Sequence, residues 1–324
     1  MKGTENSISK KIISCILKPL ALLLVLSGII CLSGCARLKI THPLGRGMLL
    51  EIDETGCTMG TAMARLLEAR IEYENSEDEV LWIRTIGDIT LSEYVKKTVQ
   101  DEMMRYTAAQ VMSRDLTVFI SDEELANAER DASDLMEKLG SRYNMMNYSI
   151  TYSDAEDLFI KRTYYNKVYE KLSENINMQI SEADTKAIEI SYVFIPAQDG
   201  VEIVEKMRNE MLGGALFQDV CVKYGYTPEI NVTQTKGNMP AAFDNNAFAL
   251  RDNEISEIVE TRDGFYIIYC LEDYMVTESI ANKNRIITEG KREEFRKAYE
   301  EFAQNATLRF NSAEWDKIDV SALE

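Results

Sequence analysis

Apolar residues recur along this chain in two rhythms, and the change between them marks its first division. Met48 to Asp53 (MLLEID) is a short apolar run that predicts a strand. Beyond Thr58, Met63, Leu66, Leu67 and Ile71 fall on one helical face. Thr90 to Arg114 repeats that spacing with Leu91, Tyr94, Val95, Val99, Met103 and Tyr106. Ser121 to Glu124 (SDEE) and Ser153 to Glu156 (SDAE) each have the capping-box pattern. They predict helices running to Leu139, and through Leu158, Tyr165, Val168 and Leu172. Residues 58–176 therefore read as a mostly helical lobe.

Strand periods enter after Ser181. Glu189 to Ile195 (EISYVFI) predicts a strand, and Asp199 to Leu212 a helix broken by Gly213 and Gly214. Leu216 to Tyr224 predicts a second helix, Ile230 to Thr235 a strand, and the surroundings of Phe243 a short helix. Asp263 to Asp273 (DGFYIIYCLED) is an apolar run opened by an Asp-Gly turn, the pattern of a buried strand. Together these make an α+β unit of roughly ninety residues, an ordinary domain size. Residues 276–306 predict a long charged helix. A strand at Leu308–Phe310 is expected to pair with Met48–Asp53. The α+β unit would then be an insertion between two halves of one helical lobe.

Two readings of a Met and Tyr stripe stay open: Met103, Met104, Tyr106, Met112, Tyr143, Met145, Met146 and Tyr148 are either core or an adaptable groove for unfolded chains.

Charge narrows the function. The net charge is −18, and residues 1–34 are basic on balance, so the remainder is more acidic still. Such a surface repels nucleic acid and anionic headgroups. His42 is the one histidine of the chain, which excludes Ser-His and Cys-His catalysis and His-based metal sites from the folded body. No cofactor and no metal site is expected.

The N-terminus reads as an address. Lys2, Lys10, Lys11 and Lys18 precede the apolar run PLALLLVLSGIICLSGC, the layout of a secretory signal. Leu32-Ser33-Gly34-Cys35 resembles the bacterial lipobox, in which the cysteine takes the lipid and becomes the mature N-terminus. That resemblance implies a chain anchored on the extracytoplasmic face of a bacterial membrane through Cys35. The alternative is an uncleaved anchor with an incidental cysteine. Cys57, Cys221 and Cys270 remain in the body, and a Cys221–Cys270 disulfide is one option for them.

Residues 183–274 carry a further resemblance. EISYVFI, then GGALFQDVCVKYG, then GNMPAAFDNNAFALRDNEISEIVETRDGFYIIYCLED follow the order and spacing of the parvulin (rotamase) domain of peptidyl-prolyl isomerases. With the lipobox and flanking helices, the chain resembles the PrsA/SurA-like foldases. The resemblance implies an α+β fold: a helical chaperone lobe with an inserted parvulin-like domain of a small antiparallel sheet flanked by helices. It implies the organisation 1–34 signal peptide, 35–47 tether, 48–180 helical lobe, 181–275 parvulin-like domain and 276–324 return to the lobe. It also implies unfolded or proline-containing exported polypeptides as partners.

The family's proline-binding residues map to Met239 and Phe243, with Phe248 packing after them. Its polar positions depart from the pattern. Tyr192 and Tyr266 stand where the two histidines would be, and Thr227 near the Cys or Asp position. Two functions follow from this: a foldase with prolyl isomerase activity, or a chaperone that binds peptide without turning it over. An envelope scaffold is a third.

Overall fold

The computed structural model describes residues 44–76, 82–174, 176 and 180–323. The signal segment, Cys35, His42 and the start of the tether lie outside the described residues. The chain divides into two compact units. One comprises residues up to Leu172 together with Glu294–Glu324, and the other Ser173–Glu293.

The first unit opens with a hairpin of β1 (Met48–Ile52) and β2 (Thr55–Thr58). Asp53 and Glu54 between them both have positive φ, 42° and 69°, as a tight hairpin turn needs. The TGCT of β2 has no hydrophobic alternation, so periodicity passes over it. Helices α1 (Met59–Ser76), α2 (Leu91–Asp115), α3 (Asp122–Gly140) and α4 (Tyr152–Leu172) follow, with a two-residue pair of strands, β3 (Thr85–Ile86) and β4 (Ile89–Thr90), ahead of α2.

The capping box at Ser121 forms as its pattern requires. The Glu124 N–H donates to Ser121 Oγ at 3.3 Å, and Glu124 Oε2 accepts the Ser121 N–H at 2.8 Å. The expected box at Ser153 does not open α4. Thr151 and Asp154 do so instead: Asp154 N–H donates to Thr151 Oγ1, and Asp154 Oδ2 accepts the Thr151 N–H. A tertiary contact favours this register, because Asp154 Oδ1 also accepts from the Thr58 hydroxyl at 2.5 Å. Gly60 makes room for it; a Cβ there would collide with the Asp154 carboxylate.

The Met and Tyr stripe is mostly core. Met103, Met112 and Tyr143 are buried, while Met104, Tyr106, Met145 and Tyr148 are partly buried against the core. Met146, 86% exposed, is the exception. Lys161 is only 2% exposed and pairs with Asp157 at 2.5 Å.

The second unit is built on a four-stranded antiparallel sheet. After α5 (Glu182–Thr185), β5 (Ala187–Pro196) leads through a short 3-10 turn into α6 (Val201–Leu212) and α7 (Phe217–Lys223). Then come β6 (Glu229–Thr235), α8 (Ala241–Ala247), β7 (Val259–Glu260) and β8 (Gly264–Glu272), in sheet order β6-β5-β8-β7. Strand alternation assigns residues to two faces. Val193, Ile195 and Ile267 face a core with Val204, Met207, Met211, Phe217, Val220 and Cys221 of α6 and α7. Ile188, Ile190, Ile268 and Cys270 face another with Phe243 and Ala247 of α8. Cys221 and Cys270 therefore lie on opposite faces of the sheet, and the disulfide considered for them is absent; both are free.

Helix α9 (Val276–Asn305) belongs to the second unit up to Glu293 and to the first from Glu294. Its early turns are tied to the start of β5. Ser279 Oγ accepts the Ala187 N–H, and Asn282 Nδ2 donates to the Thr185 carbonyl. These buried bonds account for a boundary inside the helix rather than at residue 276. In the first unit, β9 (Leu308–Phe310) pairs antiparallel with β1, Leu50 opposite Phe310, as the two apolar runs suggest. Trp315 of the last short helix, α10 (Ser312–Trp315), is buried in the same core.

Candidate functional site

The α8 face of the sheet gathers a group of aromatic rings. In β5, Tyr192 and Phe194 are two residues apart and share this face; in β8, Tyr266 lies directly opposite Phe194. Phe243 of α8 is fully buried beneath them. Its ring meets Tyr192 and Tyr266 edge to face, each with centroids 5.1 Å apart and planes at 80°. Phe194 and Tyr266 lie 4.9 Å apart, and Tyr192 and Tyr266 6.1 Å. Edge-to-face rings at these separations attract through their quadrupoles. Tyr192, Phe194 and Tyr266 are half-buried, so the group has an open side.

Met239 and Phe248 are partly buried against the same cluster. The connection into α8 is held from inside. Asp244 Oδ2 accepts the Gly237 N–H at 2.7 Å, and Gly237 takes φ +93°, a conformation that favours glycine. This draws the loop bearing Met239 onto the helix bearing Phe243. At the other end, Gly264 opens β8 opposite Pro196. A Cβ there would overlap the Ile195 carbonyl oxygen and the Phe194 ring, so only glycine lets β8 lie this close.

Of the residues singled out in the sequence, Tyr192, Tyr266, Met239, Phe243 and Phe248 come together in one cluster. Thr227 stands exposed in the coil ahead of β6. The polar residue opposite Tyr192 is Glu229. Periodicity could have found Phe194, two positions from Tyr192 on a strand. Glu229 carries no sequence signal, because its partner depends on a bulge that shifts the β5–β6 register.

Burial raises the Tyr192 phenol above its usual pKa, with the Glu229 carboxylate and Tyr266 adding to the effect. Burial, then the Asp263 carboxylate, does the same to Tyr266. Both hydroxyls stay protonated near neutrality, so they can donate hydrogen bonds and cannot serve as bases. Burial also pushes the Cys221 and Cys270 thiols up to about 11, which leaves them poor nucleophiles. What remains for chemistry is an apolar, aromatic surface with two phenol donors.

A family model, Rotamase: PPIC-type PPIASE domain, matches residues 228–272, the segment holding β6, α8, β7 and β8. The foldase protein PrsA of Bacillus subtilis is 22% identical over 213 residues, spanning 61% of this chain and 70% of that protein. Among solved structures, the peptidylprolyl isomerase PrsA of Bacillus cereus aligns over 68% of this chain and 88% of its own at 14% identity, TM-score 0.33. A SurA-like chaperone of Campylobacter jejuni aligns over 82% and 99% at 11% identity, TM-score 0.26. The chain carries a PPIC-type parvulin domain and is similar to the PrsA foldases.

Proposed function

We propose that this chain is an exported, membrane-tethered foldase whose parvulin domain grips proline-containing segments of unfolded polypeptides, with binding dominating over turnover. The observation that carries this reading is the cluster of Phe243, Met239, Phe248 and Tyr266, inside the segment matched to the PPIase family, packed with Tyr192 from the neighbouring strand β5.

Prolyl isomerisation breaks no σ bond. Its barrier of about 18–20 kcal/mol is the loss of amide resonance. The planar amide is more charge-separated than the twisted one. An apolar pocket that removes water therefore favours the twisted form, and the partly buried Met239 and Phe248, backed by the buried Phe243, supply such a surface. A phenol donating to the amide oxygen would favour the planar form and oppose this. A phenol donating toward the amide nitrogen would assist it. Two protonated phenols able to hold the amide oxygen of the planar form thus support recognition more than rapid turnover.

The test is a protease-free isomerisation assay on the full chain, run beside direct binding of a proline peptide. Met239→Ala is expected to weaken binding several-fold, and Phe248→Ala likewise. Tyr192→His/Tyr266→His is expected to raise the isomerisation rate over the native chain. If Met239→Ala, at a partly buried position, binds and isomerises as the native chain does, the cluster is not the site and the proposal fails.

A further inference from the structure

Two carboxylates, those of Glu229 and Asp263, border the aromatic group on its tyrosine side. Glu229 lies directly opposite Tyr192, so the two side chains share a face of the sheet. Asp263 lies in the turn that leads into β8, three residues before Tyr266. Both carboxylates are exposed and reach the phenols electrostatically. Residues 228–272 carry eight acidic side chains and three basic ones. Of the basic residues, Lys236 is engaged: its ammonium sits over the Phe248 ring, 5.6 Å from the centroid. The surface thus already holds one cation against an aromatic face. The half-buried faces of Tyr192 and Tyr266 are flanked by carboxylates instead.

A ring face attracts a cation through its quadrupole, and a neighbouring carboxylate adds to that attraction. An anion at the same place would meet the negative ring face and the carboxylate together. We propose that this face selects proline-containing segments in which a lysine or arginine adjoins the proline, the cation resting on the tyrosine rings beside Glu229. This rests on the reading that Met239, Phe243 and Phe248 receive the proline. The acidity of the whole chain acts in the same direction at longer range, drawing basic segments toward it.

The experiment uses the full chain and three peptides that differ only in the residues flanking one proline: lysine, leucine or glutamate. Binding is followed by titration at low and at high salt. The lysine peptide is expected to bind about 5- to 10-fold tighter than the glutamate peptide, the combined size of one exposed cation–π contact and one surface ion pair. High salt shrinks the gap. Glu229→Gln, on the exposed end of an edge strand, is expected to cut the gap to about 2- to 3-fold while leaving the leucine peptide unchanged. Asp263→Asn is expected to do less, since Arg262 stands beside that carboxylate in sequence.

Equal binding of all three peptides, with Met239→Ala still weakening each, overturns the charge selection and leaves the foldase reading standing. So does a lysine preference that Glu229→Gln and Asp263→Asn together leave undiminished. If none of the peptides binds, or if binding ignores Met239→Ala, the foldase reading fails and the selection falls with it.

Discussion

Cys57 shows how far a single environment moves a group. Burial pushes its thiol from 9.0 up to about 12, with Lys161 lowering it and Asp157 and Asp154 raising it. The folded state therefore holds this proton more tightly than the unfolded chain. The stability it contributes is fully present below pH 9 and is lost as pH rises toward 12. At about 1.4 kcal/mol per unit the whole effect is on the order of 4 kcal/mol. We expect the thermal midpoint to fall steadily above pH 9, and less steeply for Cys57→Ala. Matching slopes for both chains would assign the alkaline loss to the buried tyrosines, of which Tyr73, also raised to about 12, is one. At the candidate site, Met239, Phe243 and Phe248 stood out by the order that the resemblance implies, and the two tyrosines by standing where that resemblance would put histidines. Glu229 was not legible, since its role follows from which residue it faces across a bulged strand pair.

Among the elements, the caps show what local chemistry can and cannot decide. Ser121 and Glu124 satisfy each other's backbone N–H groups, and Lys167 binds the same Glu124 at 2.7 Å. Ser121→Ala is expected to cost about 1 kcal/mol, visible as a lowered urea midpoint with an unchanged slope. No change would mean that water replaces the cap. The same motif at Ser153 is outcompeted by Thr151 and Asp154, because Asp154 also meets Thr58 from the first hairpin. A pattern within four residues cannot report a partner ninety-six positions away. The strands divide similarly. The long runs in β5 and β8 are readable by their period, while β2 and the two-residue β7 exist only through their neighbours.

For the molecule as a whole, charge opposes the proposed membrane attachment. A chain of net charge −18 is repelled by an anionic membrane surface, so the tethering proposed above would fall to lipid, worth roughly 0.8 kcal/mol per buried methylene. Cys35→Ala is expected to stop fatty-acid incorporation and to release the chain from the membrane fraction. Labelled fatty acid that still attaches to this variant would refute anchoring at Cys35. By itself the sequence determined the mixed α+β class, the change from helical to strand rhythm near residue 181, and a resemblance to parvulins that the family model bears out over residues 228–272. These are local matters, set by period, punctuation and residue type. The tertiary structure alone decided that Cys221 and Cys270 lie on opposite faces, that the unit boundary falls within α9, and that four aromatic rings converge beside Glu229. Each depends on strand register or on contacts between residues far apart in the chain, and a one-residue shift in register would turn Tyr192, Phe194, Tyr266 and Cys270 to the other face.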